Sequence, residues 1–199
     1  MRKIIYFIEF ILIKILFIIF KLIGYKFSSN LGFLIGVIFG PLFKSKKQII
    51  KNLEKANIQK KQNPKKIASN VLGNYGRIFA EYVHLEDFRN DKLKKYISIE
   101  GLEHLNYLKK SKKKAIFVSG HFNNFELMAM HIEKVGIELA TIYRPLNNIF
   151  LNKTMEKIRT KNICKNQIKK GRAGSREIIK SVKNGKSIAV MIDQRVREG

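Results

Sequence analysis

Residues 115–130 read AIFVSGHFNNFELMAM, and this stretch decides the fold. Residues 115–119 are a short apolar run behind a lysine cluster, the pattern of a strand buried among neighbours. Gly120 breaks the run and His121 follows. Asn123 and Asn124 can cap a helix that continues through residues 125–130. The pattern then repeats downstream. Gly136 closes the helix, and residues 137–143 read as a strand delivering Arg144 and Pro145 at its end. One helix follows through Met155, Ile158 and Arg159, and another runs from Ser175 to Val182, with Gly185 as its stop. The last strand, residues 187–192, ends at Asp193 and Gln194. Strands alternating with helices of this length predict an α/β fold: a mostly parallel sheet with helices on both faces. Such sheets bind ligands outside the carboxyl ends of their strands. His121 with Glu126, Arg144, and Asp193 with Gln194 fall at three such ends.

Toward the amino end the texture is different. Residues 4–23, IIYFIEFILIKILFIIFKLI, are apolar at 17 of 20 positions. As a helix rising about 1.5 Å per residue, this run reaches about 30 Å, the thickness of a bilayer's hydrocarbon core. Its exceptions are Glu9, Lys14 and Lys21, and a charge at mid-bilayer costs on the order of 3 kcal/mol. A signal peptide fits less well, because no small-residue cleavage site comes after it. A buried core helix would need protein on all sides. Residues 31–43, LGFLIGVIFGPLF, carry Gly32, Gly36 and Gly40 at the spacing that lets helices approach closely. Thirteen residues are too few to span alone, so this piece is expected to pack on the first helix or lie at the interface. The basic residues after Pro41 favour the cytoplasmic side for the rest of the chain. Residues 1–44 thus read as a membrane anchor, and residues 45–199 as the α/β domain. That domain opens with a basic amphipathic stretch, residues 46–63, and a second helical reading from Pro64 with Ile67, Val71, Leu72, Ile78, Phe79 and Tyr82 in register.

Composition narrows the function classes. The 199 residues hold 40 Lys+Arg against 15 Asp+Glu, a net charge of +25 that points to an anionic partner. An apolar fraction of 45% excludes a disordered chain, and a single cysteine excludes a disulfide-stapled scaffold. Nucleic acid is not the expected partner, because no helix-turn-helix, zinc-finger or RNA-binding aromatic pattern accompanies the lysines. No fixed-period repeat is visible.

The spacing His121-x-x-x-x-Glu126 has a mechanical reading. On one helix the two side chains would diverge by about 140°. With His121 in the turn before the helix and Glu126 in its first turn, the carboxylate can point back at the imidazole. It would then fix the tautomer while the other ring nitrogen takes a proton from a hydroxyl. A metal site including His131 is a poorer reading, since no ligand set accompanies it. His84 and His104 read as structural.

In SGHFNNFELMAM (119–130) these residues resemble the His-x4-Asp/Glu motif of lysophospholipid-acyltransferase-like enzymes, in the branch of bacterial lipid A biosynthesis (lauroyl/myristoyl) acyltransferases. Further motifs come in that branch's order: Lys51-Asn52-Leu53, Asn74-Tyr75-Gly76-Arg77 with Glu81, residues 100–105 (EGLEHL), residues 143–148 (YRPLNN), and Asp193-Gln194. Asn123 stands where the branch usually has Gly, and Phe125 where it usually has Trp. The family chain continues beyond the Asp-Gln motif into further strands and helices with a Phe-Phe-Gly-type segment. The resemblance therefore implies that the carboxyl-terminal part of the family fold is missing from residues 1–199, which are expected to be inactive alone.

The resemblance implies O-acyl transfer from an acyl-carrier-protein thioester to a hydroxyl of a lipid A precursor. His121 would be the general base and Glu126 its orienting partner. The 120–124 turn, with its helix-start amides and Asn124, is the candidate oxyanion stabiliser and substrate contact. Arg144 suits phosphate, while Asp193 and Gln194 would hold sugar or amide groups or fix the arginine. No cofactor or metal is implied. The expected place is the bacterial inner membrane, with residues 45–199 as a catalytic domain facing the cytoplasm. A phospholipid or glycolipid acyltransferase with another acceptor or an acyl-CoA donor is the alternative enzyme. A non-catalytic basic membrane protein is the alternative outside enzymes.

Overall fold

A computed structural model describes residues 2–57 and 63–193. Along the chain come α1 (Arg2–Ile23), α2 (Tyr25–Phe43), α3 (Lys46–Lys55), α4 (Pro64–Glu81), α5 (Leu85–Arg89) and α6 (Leu102–Ser111). The strands then alternate with helices: β1 (Ile116–Ser119), α7 (Glu126–Lys134), β2 (Leu139–Tyr143), α8 (Ile149–Asn162), β3 (Asn166–Lys169), α9 (Arg172–Lys183) and β4 (Ser187–Met191). Residues 13–84 form one compact unit, and residues 2–12 with those from 85 onward form the other.

The second unit is built on a four-stranded sheet of order β1-β4-β2-β3, parallel at every pairing. This is the α/β architecture expected from the alternating pattern. The registers put Ile116, Val118, Ile142, Ile168, Ile188 and Val190 on one face. Ala140, Ile168 and Ile188 are buried there, and Ile178 of α9 packs on them. On the other face α7 packs on β2, and α8 reaches Tyr143 through Arg159. Strand β3 has no counterpart in the sequence reading, because Asn166-Gln167-Ile168-Lys169 offers one apolar residue. It is an outer strand, and Asn166 ties it in by donating to the Leu139 carbonyl at 3.0 Å and accepting from Lys186 Nζ at 2.6 Å. Just before it, Cys164 is wholly buried with its Sγ 3.1 Å from the Leu139 carbonyl, and burial pushes its thiol up to about 11.

The unit of residues 13–84 corrects the reading of the second apolar run. Helix α2 starts at Tyr25 rather than Leu31, so its 19 residues are long and apolar enough to cross a membrane. Among the described residues, α1 fails that test on its charges despite its 22 residues. Nor does the glycine stripe face α1. It packs on α4, which brings its own Gly73 and Gly76. A Cβ at Gly76 would lie 2.1 Å from the Gly32 carbonyl oxygen, and one at Gly32 would lie 2.5 Å from the Ala80 Cβ. At these glycines the two backbones touch, while the Phe33 ring lies on Gly73 and Leu72 on Gly40. Beside this seam Ser29 Oγ donates to Glu81 at 2.7 Å, and Ser28 Oγ lies 3.0 Å from His84 Nε2. These buried bonds explain why the polar YKFSSN segment is helical. Of the predicted stretch 46–63, residues 46–55 form α3, and residues 58–62 lie outside the described residues.

Glu9, the acid in the first apolar run, also has a partner. Asn148 Nδ2 donates to Glu9 Oε2 at 3.0 Å and to the Tyr6 carbonyl at 2.8 Å. Its Oδ1 accepts from Phe150 N and Leu151 N, capping α8. Phe150 meets Phe7 and Phe10 at centroid distances of 5.6 and 6.1 Å. The first turns of α1 are thereby fixed to the loop after β2.

Candidate functional site

Because all four strands run parallel, residues 120–125, 144–148 and 192–193 emerge on one edge of the sheet. Strands β1 and β4 are neighbours, and Ile192 N still bonds the Ser119 carbonyl at 3.0 Å. Their ends therefore deliver His121 and Asp193 side by side. Asp193 Oδ2 accepts from the His121 backbone N–H at 2.8 Å, and Oδ1 lies 2.8 Å from His121 Nδ1. The backbone N–H, and then the imidazole, hold the Asp193 carboxyl below its ordinary value. Gly120 makes this approach possible, since a Cβ there would sit 3.3 Å from Asp193 Cγ and 2.7 Å from the Phe122 ring.

The turn after His121 accounts for both departures from the family pattern. Asn123 has φ +42°, in the left-handed region where glycine is at ease and Asn is among the better-tolerated alternatives. Phe125 stands edge-on to the imidazole, with centroids 4.6 Å apart and planes at 72°, so an aromatic wall is kept. Helix α7 starts at Glu126, and neither Asn123 nor Asn124 caps it through its side chain.

Glu126 is buried, and its Oε1 accepts from Arg159 Nε at 3.1 Å and pairs with Nη2 at 3.0 Å. The sequence spacing points this carboxylate at His121, whereas the bond at Nδ1 comes from Asp193, 72 residues away. Arg159 also lies over the Tyr143 ring, 5.8 Å from its centroid. Tyr143 donates its hydroxyl to Glu156, and burial, with Glu156 adding to it, raises the phenol above its usual range. Asn152 donates to Glu156 at 3.0 Å and accepts from Leu146 N at 2.8 Å. A chain of hydrogen bonds and one cation–ring contact thus runs from Glu126 through α8 to the loop that begins with Arg144, which is exposed. Asn124 is half-buried in the His121 turn, and Gln194 lies outside the described residues.

Sequence reasoning missed Arg159 as a site residue and missed Asp193 as the histidine's partner. The available signal for the first was Asn152, Glu156 and Arg159 at helical spacing, a polar stripe on one face of α8. For the second there was none short of knowing that β4 lies beside β1. Between β1, α7 and the segment before α6, a cleft of about 520 Å³ is lined by Tyr96, Ile99, Phe117, Leu127, Met128 and His131 among others, and His121, Arg144 and Asp193 are not in its lining. Among the described residues, no cluster of three or more His, Cys, Asp or Glu side chains is placed to hold a metal ion.

No curated protein and no solved structure matches the chain significantly. A family model described as bacterial lipid A biosynthesis acyltransferase does, over residues 1–199. The ordered motifs, the parallel sheet and that match agree: the chain belongs to the bacterial lipid A biosynthesis acyltransferases.

Proposed function

We propose that this acyltransferase moves a fatty acyl group from an acyl-carrier-protein thioester to a hydroxyl of a lipid A precursor. The supporting observation is the bond between His121 Nδ1 and Asp193. A proton held on Nδ1 leaves Nε2 with a lone pair, so Nε2 takes the acceptor's hydroxyl proton as its oxygen attacks the thioester carbonyl. The new C–O bond forms, the C–S bond breaks, and the imidazolium returns its proton to the leaving thiolate. Asp193 stabilises the imidazolium in between. In this reading Glu126 works through Arg159, holding the start of α7 and the loop of Arg144 in place. Arg144 meets phosphate, Asn124 in the turn before α7 faces the oxyanion, and Gln194 contacts the acceptor. The cleft beside Met128 is of ordinary ligand-pocket size and takes the acyl chain. Helix α2 carries the enzyme in the inner membrane, with the sheet on the cytoplasmic side.

The test is a thioester-consumption assay with mass spectrometry of the acylated glycolipid, run with carrier-protein and coenzyme A donors. His121→Ala and Asp193→Asn should each lose about 10²- to 10⁴-fold in turnover. Unchanged turnover in His121→Ala would refute the mechanism. A far larger kinetic loss in Glu126→Gln than in Asp193→Asn would return the orienting role to Glu126.

A further inference from the structure

We infer that the active edge of the sheet itself docks into an anionic bilayer surface, with Phe122, Leu146 and Ile149 entering the lipid interface beside the first turns of α1. The inference rests on the reading that the acceptor is a bilayer lipid, and it names how that site meets its substrate. Phe122 follows the proposed base directly and is 76% exposed. Leu146, in the turn after β2, and Ile149, at the start of α8, are 39% and 48% exposed. Parallel strands place both turns on the same edge.

The adjoining helix continues the apolar rim. Asn148 and Phe150 hold residues 6–10 of α1 against the turn after β2 and engage Glu9. Ile4, Ile8 and Leu12 are left 65%, 53% and 62% exposed. A one-turn and two-turn spacing aligns these three on one side of the helix. Around this apolar rim stand the exposed cations Arg2, Lys3 and Arg144, which complement anionic headgroups. A lipid surface fits better than a protein partner. A bilayer supplies the acceptor hydroxyl from the same surface that meets the rim. The acceptor then reaches the imidazole without leaving its leaflet, and the wedge excludes water from the thioester.

The chain contains no tryptophan, so single-tryptophan variants report cleanly. Phe122→Trp and Ile149→Trp would be reconstituted as full chains in phosphatidylglycerol/phosphatidylcholine vesicles, without donor or acceptor. Tyr107→Trp is the control, since Tyr107 is exposed on α6, which leads into the opposite end of β1. The two edge probes should shift to the blue, be quenched by brominated lipid and be shielded from acrylamide, while the control behaves oppositely. Edge probes as open to acrylamide as the control would overturn the inference. This readout needs no turnover, so it fails or succeeds apart from the proposed reaction. In a second arm, Ile149→Ser should lose turnover on vesicle-embedded acceptor and keep it on a short-chain acceptor dispersed in detergent. Equal loss on both would also overturn the inference, because Ile149 would then act within the site.

Discussion

An imidazole can be a base at one nitrogen only if the other holds its proton, so the carboxylate at Nδ1 decides what His121 can do. That gives Asp193 and Glu126 different signatures. Asp193→Asn should lose turnover with only a small change in melting temperature at neutral pH. Glu126→Gln removes the carboxylate that pairs with Arg159, in a site where the two side chains are 10% and 17% exposed. Breaking a buried pair of this kind costs about 3 kcal/mol, so Glu126→Gln should show a clear fall in melting temperature by differential scanning fluorimetry. Asp193 also predicts a pH dependence. Its folded value lies below its unfolded one, so its contribution to stability is complete above the unfolded value, near pH 4, and fades as pH falls through the folded one. The gap in melting temperature between the wild type and Asp193→Asn should therefore narrow in acid; a gap that widens there would contradict the bond. At Asn123, with φ +42°, Gly should be neutral or stabilising and Val destabilising by about 1–3 kcal/mol in urea titrations.

At the scale of elements, the α2–α4 seam has no room for a side chain at Gly32, Gly36 or Gly76. Gly76→Leu would place its Cβ against the Gly32 carbonyl, so a loss of about 1–3 kcal/mol or more is expected, read as a lower unfolding midpoint in detergent. Gly171→Ala has nothing within 4 Å of its Cβ, and its cost comes from its φ of +129° alone. A Gly76→Leu chain as stable as the wild type would mean that the two helices stand further apart. The sequence was legible wherever a residue's own neighbours set its state. The apolar runs of β1, β2 and β4 and the glycine punctuation could be read directly. What escaped it depends on contacts far along the chain. Strand β3 is polar because it is an outer strand, α2 gains its first turns from Ser28 and Ser29 bonding beside α4, and the glycine stripe found its match in α4. The candidate site divides the same way. His121, Arg144 and Asp193 could be placed at strand ends from local pattern, whereas the pairing of His121 with Asp193 needed the strand order.

For the whole molecule, the seam sets what a truncation should do. Deleting residues 2–43 removes two apolar helices, α1 and α2, and it also strips α4 of the surface that Leu72, Gly73 and Gly76 pack against. The shortened protein should aggregate, visible as void-volume elution in size-exclusion chromatography. A soluble, monomeric product would mean that α4 is stable without α2. The buried thiol of Cys164 has a different use. It is the chain's one cysteine, tucked against the first residue of β2, and both its burial and its raised pKa keep it from reacting while the layer is closed. A maleimide can therefore label the native enzyme only during moments when β2 and β3 part from α8. The chain carries its own opening gauge, and the labelling rate counts how often the layer breathes, with and without a bound acyl chain.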